Sequence, residues 1–230
     1  MRTRRYAAAM AAAGLTVPAA GCGGGSSPGP ASASPLAGLT ADQILTRAVA
    51  DLKTASSVHI AGSMQESGQA TVIDLTVGAH SCTGTIGVPG QGSLVLLGIG
   101  NTVWEKPDRQ FLETAGVGTS QLSKLAGKYL RTTASGSGLG SLCFLSQLAT
   151  QLSGGASHVT EGKTTTILGQ PALELTDAGQ GSAYVTISAR PELLRVGSGD
   201  GYMDFTDYNG PLTVTRPPAG ETVDGAKYGF

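Results

Sequence analysis

Between residues 58 and 88, and again at 183–187, apolar side chains fall on alternate positions. Val58, Ile60 and Met64 alternate with His59, Ala61, Ser63 and Gln65, and Ile73, Leu75 and Val77 alternate with Val72, Asp74 and Thr76. Cys82, Ile86 and Val88 share one parity, as do Ala183, Val185 and Ile187. Successive side chains of a strand point to opposite faces, so this period commits the segments to strands with one buried and one wet face. Leu94–Ile99 is an apolar run, and Val103–Lys106 reads as a short strand. Ser67-Gly68, Gly90-Gln91-Gly92 and Gly100-Asn101 are turn signals that join neighbours antiparallel. Further strands are expected at about 157–168, 171–177, 182–188, 193–198, 202–208 and 212–216, with turns at Gly199-Asp200-Gly201 and Asn209-Gly210-Pro211.

Helical spacing interrupts this pattern. Thr40-Ala41-Asp42-Gln43 is a capping box, and behind it Ile44, Leu45, Ala48, Val49 and Leu52 form an apolar stripe, so a helix is expected over about 41–54. Leu122, Leu125 and Leu130, and then Leu142, Leu145, Leu148 and Leu152, place two more helices at about 119–127 and 139–152, the second carrying Cys143. A meander of about ten strands is too wide to stay flat and curls. With about three helices on its concave side, the expected fold is α+β: a curved antiparallel half-barrel sheet whose concave face is covered.

The N-terminus reads as an address. Met1–Arg5 is basic, Tyr6–Val17 is a short apolar stretch, and small residues precede Cys22. This is the pattern of a signal peptide over residues 1–21, too short for a permanent membrane span. Thr3-Arg4-Arg5 leaves the export route open between the general and the twin-arginine pathways. Pro18-Ala19-Ala20-Gly21-Cys22 resembles the lipobox of bacterial lipoproteins, which implies acylation of Cys22 and attachment to the outer face of the cell membrane. Residues 22–38, rich in Gly, Ser and Pro, form a flexible tether, and residues 39–230 are read as one domain. With Cys22 assigned to lipid, Cys82 and Cys143 remain as an even pair in an exported domain, where one structural disulfide is expected.

The order of these parts carries a family resemblance. Leu52-Lys53-Thr54-Ala55-Ser56-Ser57-Val58-His59-Ile60 runs from the first helix into the first strand. Phe205-Thr206-Asp207-Tyr208-Asn209-Gly210-Pro211-Leu212-Thr213-Val214 lies near the end, followed by Pro217-Pro218 and Val223-Asp224. Together with the lipobox and tether, this arrangement resembles actinobacterial lipoproteins of the LolA-like superfamily, including the LppX/LprG-type mycobacterial lipoproteins. Cys82-Thr83-Gly84-Thr85 with Leu142-Cys143 resembles a disulfide-bearing, streptomycete-like subgroup. The resemblance implies a half-barrel whose helix-roofed concave face holds acyl chains, with a lipid or lipoglycan as ligand. Gly84, Gly87 and Gly98 depart from it, either widening such a cavity or marking bulges and bends.

Catalytic and cofactor signals are missing from the sequence. His59, His80 and His158 are not spaced as metal ligands, and no nucleophile elbow, phosphate loop or dinucleotide fingerprint occurs. No cofactor or metal is expected, and an enzyme is the least favoured class. Asp204 and Asp207 are three apart, which puts them on opposite strand faces and argues against a carboxylate dyad. The formal net charge of −1 offers no footprint for nucleic acid. Two readings remain. One is an anchored binder of acylated or apolar ligands, with Ile73, Leu75, Leu94, Leu96, Trp104, Leu142, Leu145 and Leu148 lining its cavity if their parity faces inward. The other is a filled half-barrel acting as a non-catalytic protein-interaction or envelope-signalling module. A monomer is the expectation in both.

Overall fold

The computed structural model describes residues 34–230 apart from 67, 156–157, 180, 200 and 230. The expected signal peptide, Cys22 and the tether up to residue 33 lie outside the described residues. Residues 34–38, expected as the end of the tether, form a turn in which the Ala37 N–H donates to Ser34 O at 2.8 Å and Leu36 is buried in the core.

Helix α1 (Ala41–Thr54) starts where the capping box puts it. Thr40 Oγ1 accepts from the Gln43 N–H at 3.3 Å, and Gln43 Oε1 accepts from the Thr40 N–H at 2.9 Å. Five strands follow as an antiparallel meander: β1 (Ser57–Glu66), β2 (Gln69–Gly78), β3 (Ser81–Val88), β4 (Gly92–Ile99) and β5 (Thr102–Pro107). Two short helices, α2 (Arg109–Thr114) and α3 (Thr119–Leu125), precede β6 (Tyr129–Thr133). A 3₁₀ turn, Gly140–Cys143, leads into α4 (Leu145–Gly155). A second meander then runs through β7 (Val159–Ile167), β8 (Gln170–Asp177), β9 (Gly181–Thr186), β10 (Leu193–Ser198) and β11 (Gly201–Thr206). The short β12 (Thr222–Asp224) lies parallel to β6.

All twelve strands form one open curved sheet in the order β12-β6-β5-β4-β3-β2-β1-β11-β10-β9-β8-β7. The two meanders join where β1 pairs with β11, Ile60 facing Phe205. The sheet does not close, and its helices lie against one face, which is the half-barrel arrangement. The core lies between that face and the helices. Ile44, Ala48 and Leu52 of α1 meet Val58, Leu75, Leu96, Leu175 and Phe205 of the sheet.

Several elements differ from the sequence expectation. The helix expected over 139–152 is two pieces, because Phe144 is extended and Cys143 sits in the 3₁₀ turn. Leu130, whose spacing matches that of the helix expected over 119–127, is in strand β6. With Leu112, Leu122 and Leu125 it builds a second small core, and its spacing from Leu122 and Leu125 imitates helical periodicity across a helix and a strand. Helix α2 is an additional element, capped by Asp108. The strand expected at 212–216 makes no ladder. Pro211, Pro217 and Pro218 bound it and supply no backbone donors, so pairing shifts on to β12.

Candidate functional site

The inner face of the sheet has two unlike halves. Over β2–β4 it is packed shut. The 3₁₀ turn lies on these strands, and Cys143 is bonded to Cys82 across a Cα–Cα distance of 4.9 Å. Both half-cystines are fully buried. Gly98 makes room for the bridge, since a Cβ there would lie 2.9 Å from Cys143 Sγ and 3.1 Å from Cys82 Sγ. Gly84 brings two strands together, since its Cβ would fall 2.0 Å from the Asp74 carbonyl oxygen. These glycines therefore accommodate tight packing and do not widen a cavity.

Over β8–β10 the packing is incomplete. Helices α1 and α4 lie side by side above these strands. The deepest residues of α1, Ile44, Ala48 and Leu52, are entirely buried, while Leu45 and Val49 flank them on the side toward α4. Leu45, Val49 and Leu152 form the roof of a groove of about 320 Å³, and Leu175, Ala183 and Val196 form its floor. A bulge between Leu193 and Arg195 places both Leu193 and Val196 on this inner face. Gly181 and Gly197 line the end of the groove, where strand backbones approach so closely that a Cβ on either would lie 2.3–2.4 Å from a neighbouring carbonyl oxygen. Met64 stands at that end, 46% exposed, beside the polar rim residues Gln151 and Asp177.

The residues named from sequence fall into three groups. Leu75, Leu94, Leu96 and Leu145 are buried in the packed half, and Ile73, Leu142 and Leu148 are half-buried against the same core. None of these seven is among the groove residues. Trp104 is on the other face. It pairs with Leu97 and Arg131, whereas Val103, paired with Gly98, takes the inward parity. The expectation that Trp104 points inward with Leu94 and Leu96 is therefore corrected by one residue of register. The groove residues were foreshadowed in α1, where the stripe of Ile44, Leu45, Ala48, Val49 and Leu52 is wider than contact with the sheet alone requires. Val196 had no such signal, because its facing depends on the bulge.

The convex face carries an ordered polar row. Glu174, Tyr184, Arg195, Asp204, Ala61 and Asp74 are successive cross-strand partners from β8 to β2. Arg195 donates to Asp204 from Nε at 2.5 Å and from Nη2 at 2.9 Å, and its guanidinium stacks 3.9 Å above the Tyr202 ring centre. The bonds to Asp204 raise the guanidinium pKa above its ordinary value. Tyr184 Oη and Ser182 Oγ both donate to Glu174 Oε1, and burial with that carboxylate raises the Tyr184 pKa. His59 lies on this face with Nε2 2.9 Å from Asp74 and Nδ1 3.1 Å from Thr206. Asp207 lies past the end of β11 and forms no dyad with Asp204, which is held by Arg195. Among the described residues there is no group of three or more His, Cys, Asp or Glu side chains arranged to hold a metal, and no helix long and apolar enough to cross a membrane.

No protein-family model matches the sequence, and no curated protein matches it. Solved structures do resemble it. The crystal structure of LprF from Mycobacterium bovis matches with a TM-score of 0.53 at 15% identity, covering 77% of this chain and 96% of that one. The Mycobacterium tuberculosis lipoprotein LppX gives 0.47 at 14% identity over 76% and 98% of the two chains. A conserved protein from Thermus thermophilus gives 0.42 at 14% identity over 80% and 98%. At such identities the likeness concerns the fold, and LprF carries it. Residues 34–230 thus share the half-barrel fold of LprF.

Proposed function

We propose that this protein is an extracytoplasmic lipoprotein, anchored to the cell membrane through an acylated Cys22, that binds the acyl chain of an apolar ligand in the groove between α1, α4 and β8–β10. The groove itself carries the reading. It is an open apolar recess of about 320 Å³ on the inner face of a sheet whose other half is packed shut. That volume is at the lower end of the range for small-molecule sites. Each buried methylene is worth about 0.8 kcal/mol, so about eight of them supply roughly 6 kcal/mol before the costs of ordering. Binding of this kind needs no covalent step. The polar rim at Gln151 and Asp177 suits a headgroup held at the opening. The LprF-like fold and the lipobox-like N-terminus are both consistent with this role.

Native mass spectrometry of the full chain, purified gently from its own host, tests this. The expected result is a mass excess that organic extraction removes, with acyl chains in the extract. Acylation of Cys22 is covalent and survives that extraction. Ala183→Trp fills the groove floor and should abolish the extractable excess while leaving the fold intact by circular dichroism. A clean unliganded mass, or an excess equal in parent and variant, would overturn the assignment.

A further inference from the structure

On the convex face, away from the groove, β5 and β6 form the floor of a second recess. The chain from Arg216 to Asp224 forms its wall, and its volume is about 400 Å³. Trp104 lies at its base, only 2% exposed. Arg131 is the register partner of Trp104 on β6, and the Arg216 guanidinium lies over the indole, 5.8 Å from the ring centre. Two guanidinium groups from separate parts of the chain thus enter one recess. A single carboxylate, Asp224, is among its lining residues. It lies 3.9 Å from Arg131, with both side chains about half exposed, a separation and exposure at which an ion pair is weak. Among the described residues no ion pair is found for Arg216. Lys106, on the same face two residues from Trp104, adds positive charge while stacked on Tyr129 at 4.8 Å.

This surplus is unusual in a chain with more acidic than basic residues. A guanidinium is planar and carries five donors, and an indole within about 6 Å attracts its charge, so the Trp104 ring helps to hold Arg216 over the recess. The buried ring beneath also lowers the local dielectric and strengthens any charge met there. Two such forks suit an anion with several oxygens spread in three dimensions. We propose that the Trp104–Arg131–Arg216 recess is a binding site for a phosphate ester group, independent of the inner groove.

Trp104 is the only tryptophan in the chain, so its emission reports on this site directly. The full chain carrying Cys22→Ser, which removes the proposed acyl anchor, would be titrated with inorganic phosphate, following tryptophan emission and heat by calorimetry, against sodium chloride at matched ionic strength. Sedimentation with vesicles of phosphatidylglycerol mixed with phosphatidylcholine, and of phosphatidylcholine alone, forms the second arm. Parent, Arg131→Gln, Arg216→Gln, the double variant and the exposed helix variant Arg47→Gln would be compared. The expected result is saturable binding in the parent and in Arg47→Gln, about tenfold weaker in each single recess variant and absent in the double variant. Arginine-dependent binding to the anionic vesicles would identify a lipid headgroup as the source. Arginine-dependent binding of inorganic phosphate alone would identify a soluble phosphate ester. No saturable signal from either probe, or a signal equal in parent and double variant, would overturn the proposal.

Discussion

Replacing both half-cystines, as in Cys82→Ala/Cys143→Ala, should lower the melting temperature of the folded domain by about 8–16 °C. The bridge closes a loop with a sequence separation of 61. Loop-closure entropy makes that worth about 4 kcal/mol in the unfolded state. In a domain of roughly 200 residues, each kcal/mol corresponds to about 2–4 °C. The pair also pins the 3₁₀ turn and the start of α4 to β3, so its loss should loosen the packed half first. Gly98 supplies an internal control. A methyl group there would crowd both sulfurs, and overpacking of this kind costs about 1–3 kcal/mol. Once the sulfurs are gone, most of that crowding disappears. The cost of Gly98→Ala should therefore fall in the double-alanine background, with a coupling of about 0.5–3 kcal/mol. Differential scanning calorimetry and urea unfolding of the four proteins, all carrying Cys22→Ser to prevent mispairing, would measure both quantities. A shift below about 3 °C would refute the loop-closure reasoning. An unchanged cost for Gly98→Ala would refute the packing argument.

Three further outcomes follow from individual side chains. Burial holds the Tyr208 pKa well above its ordinary range, and Tyr208 Oη donates to the Leu193 carbonyl at 2.8 Å. The unfolded phenol ionises near pH 10 while the folded one stays protonated, so stability is intact below that pH and falls above it by about 1.4 kcal/mol per pH unit. Tyr208→Phe should cost about 1 kcal/mol at neutral pH and show a shallower alkaline loss in urea melts taken between about pH 9 and 11. At Asp108, burial acts to raise the carboxyl pKa, but the Phe111 N–H at 2.7 Å and the Ser93 hydroxyl and N–H outweigh it and depress it. Its contribution is therefore present above the usual carboxylate range and lost as pH falls through the depressed value. Asp108→Ala should cost about 1 kcal/mol at pH 7 and much less near pH 2. Asn209 combines φ +60 with an Oδ1 that accepts from the Ser56 N–H at 2.9 Å. Asn209→Gly should lose only the side-chain bonds, and Asn209→Ala should be the less stable of the two by thermal melts, by about 1 kcal/mol.

The legible parts of the sequence are those in which neighbours along the chain decide the structure. The Thr40–Gln43 box sets the start of α1 because both of its bonds lie within one turn. The alternation through Val58, Ile60, Leu75 and Val77 marks buried strands, because inward and outward side chains alternate in any strand. Short elements escaped. Helix α2 has only six residues, and β12 only three, so neither holds enough periods to stand out. The Leu122–Leu130 spacing imitated one helix across a helix and a strand.

The chain by itself thus determined an antiparallel α+β half-barrel and the pairing of Cys82 with Cys143, since period, turns and cysteine parity are local or countable properties. Tertiary structure decided which half of the inner face is filled. The disulfide and Gly98 close the side over β2–β4, while the groove lies over β8–β10, with α1 and α4 above it and the bulge in β10 shaping its floor. It also decided that Trp104 faces outward beneath Arg216, a residue 112 positions away. Neither outcome could be read from spacing, because one residue of register reverses a side chain's face, and a recess exists only where distant elements fail to meet.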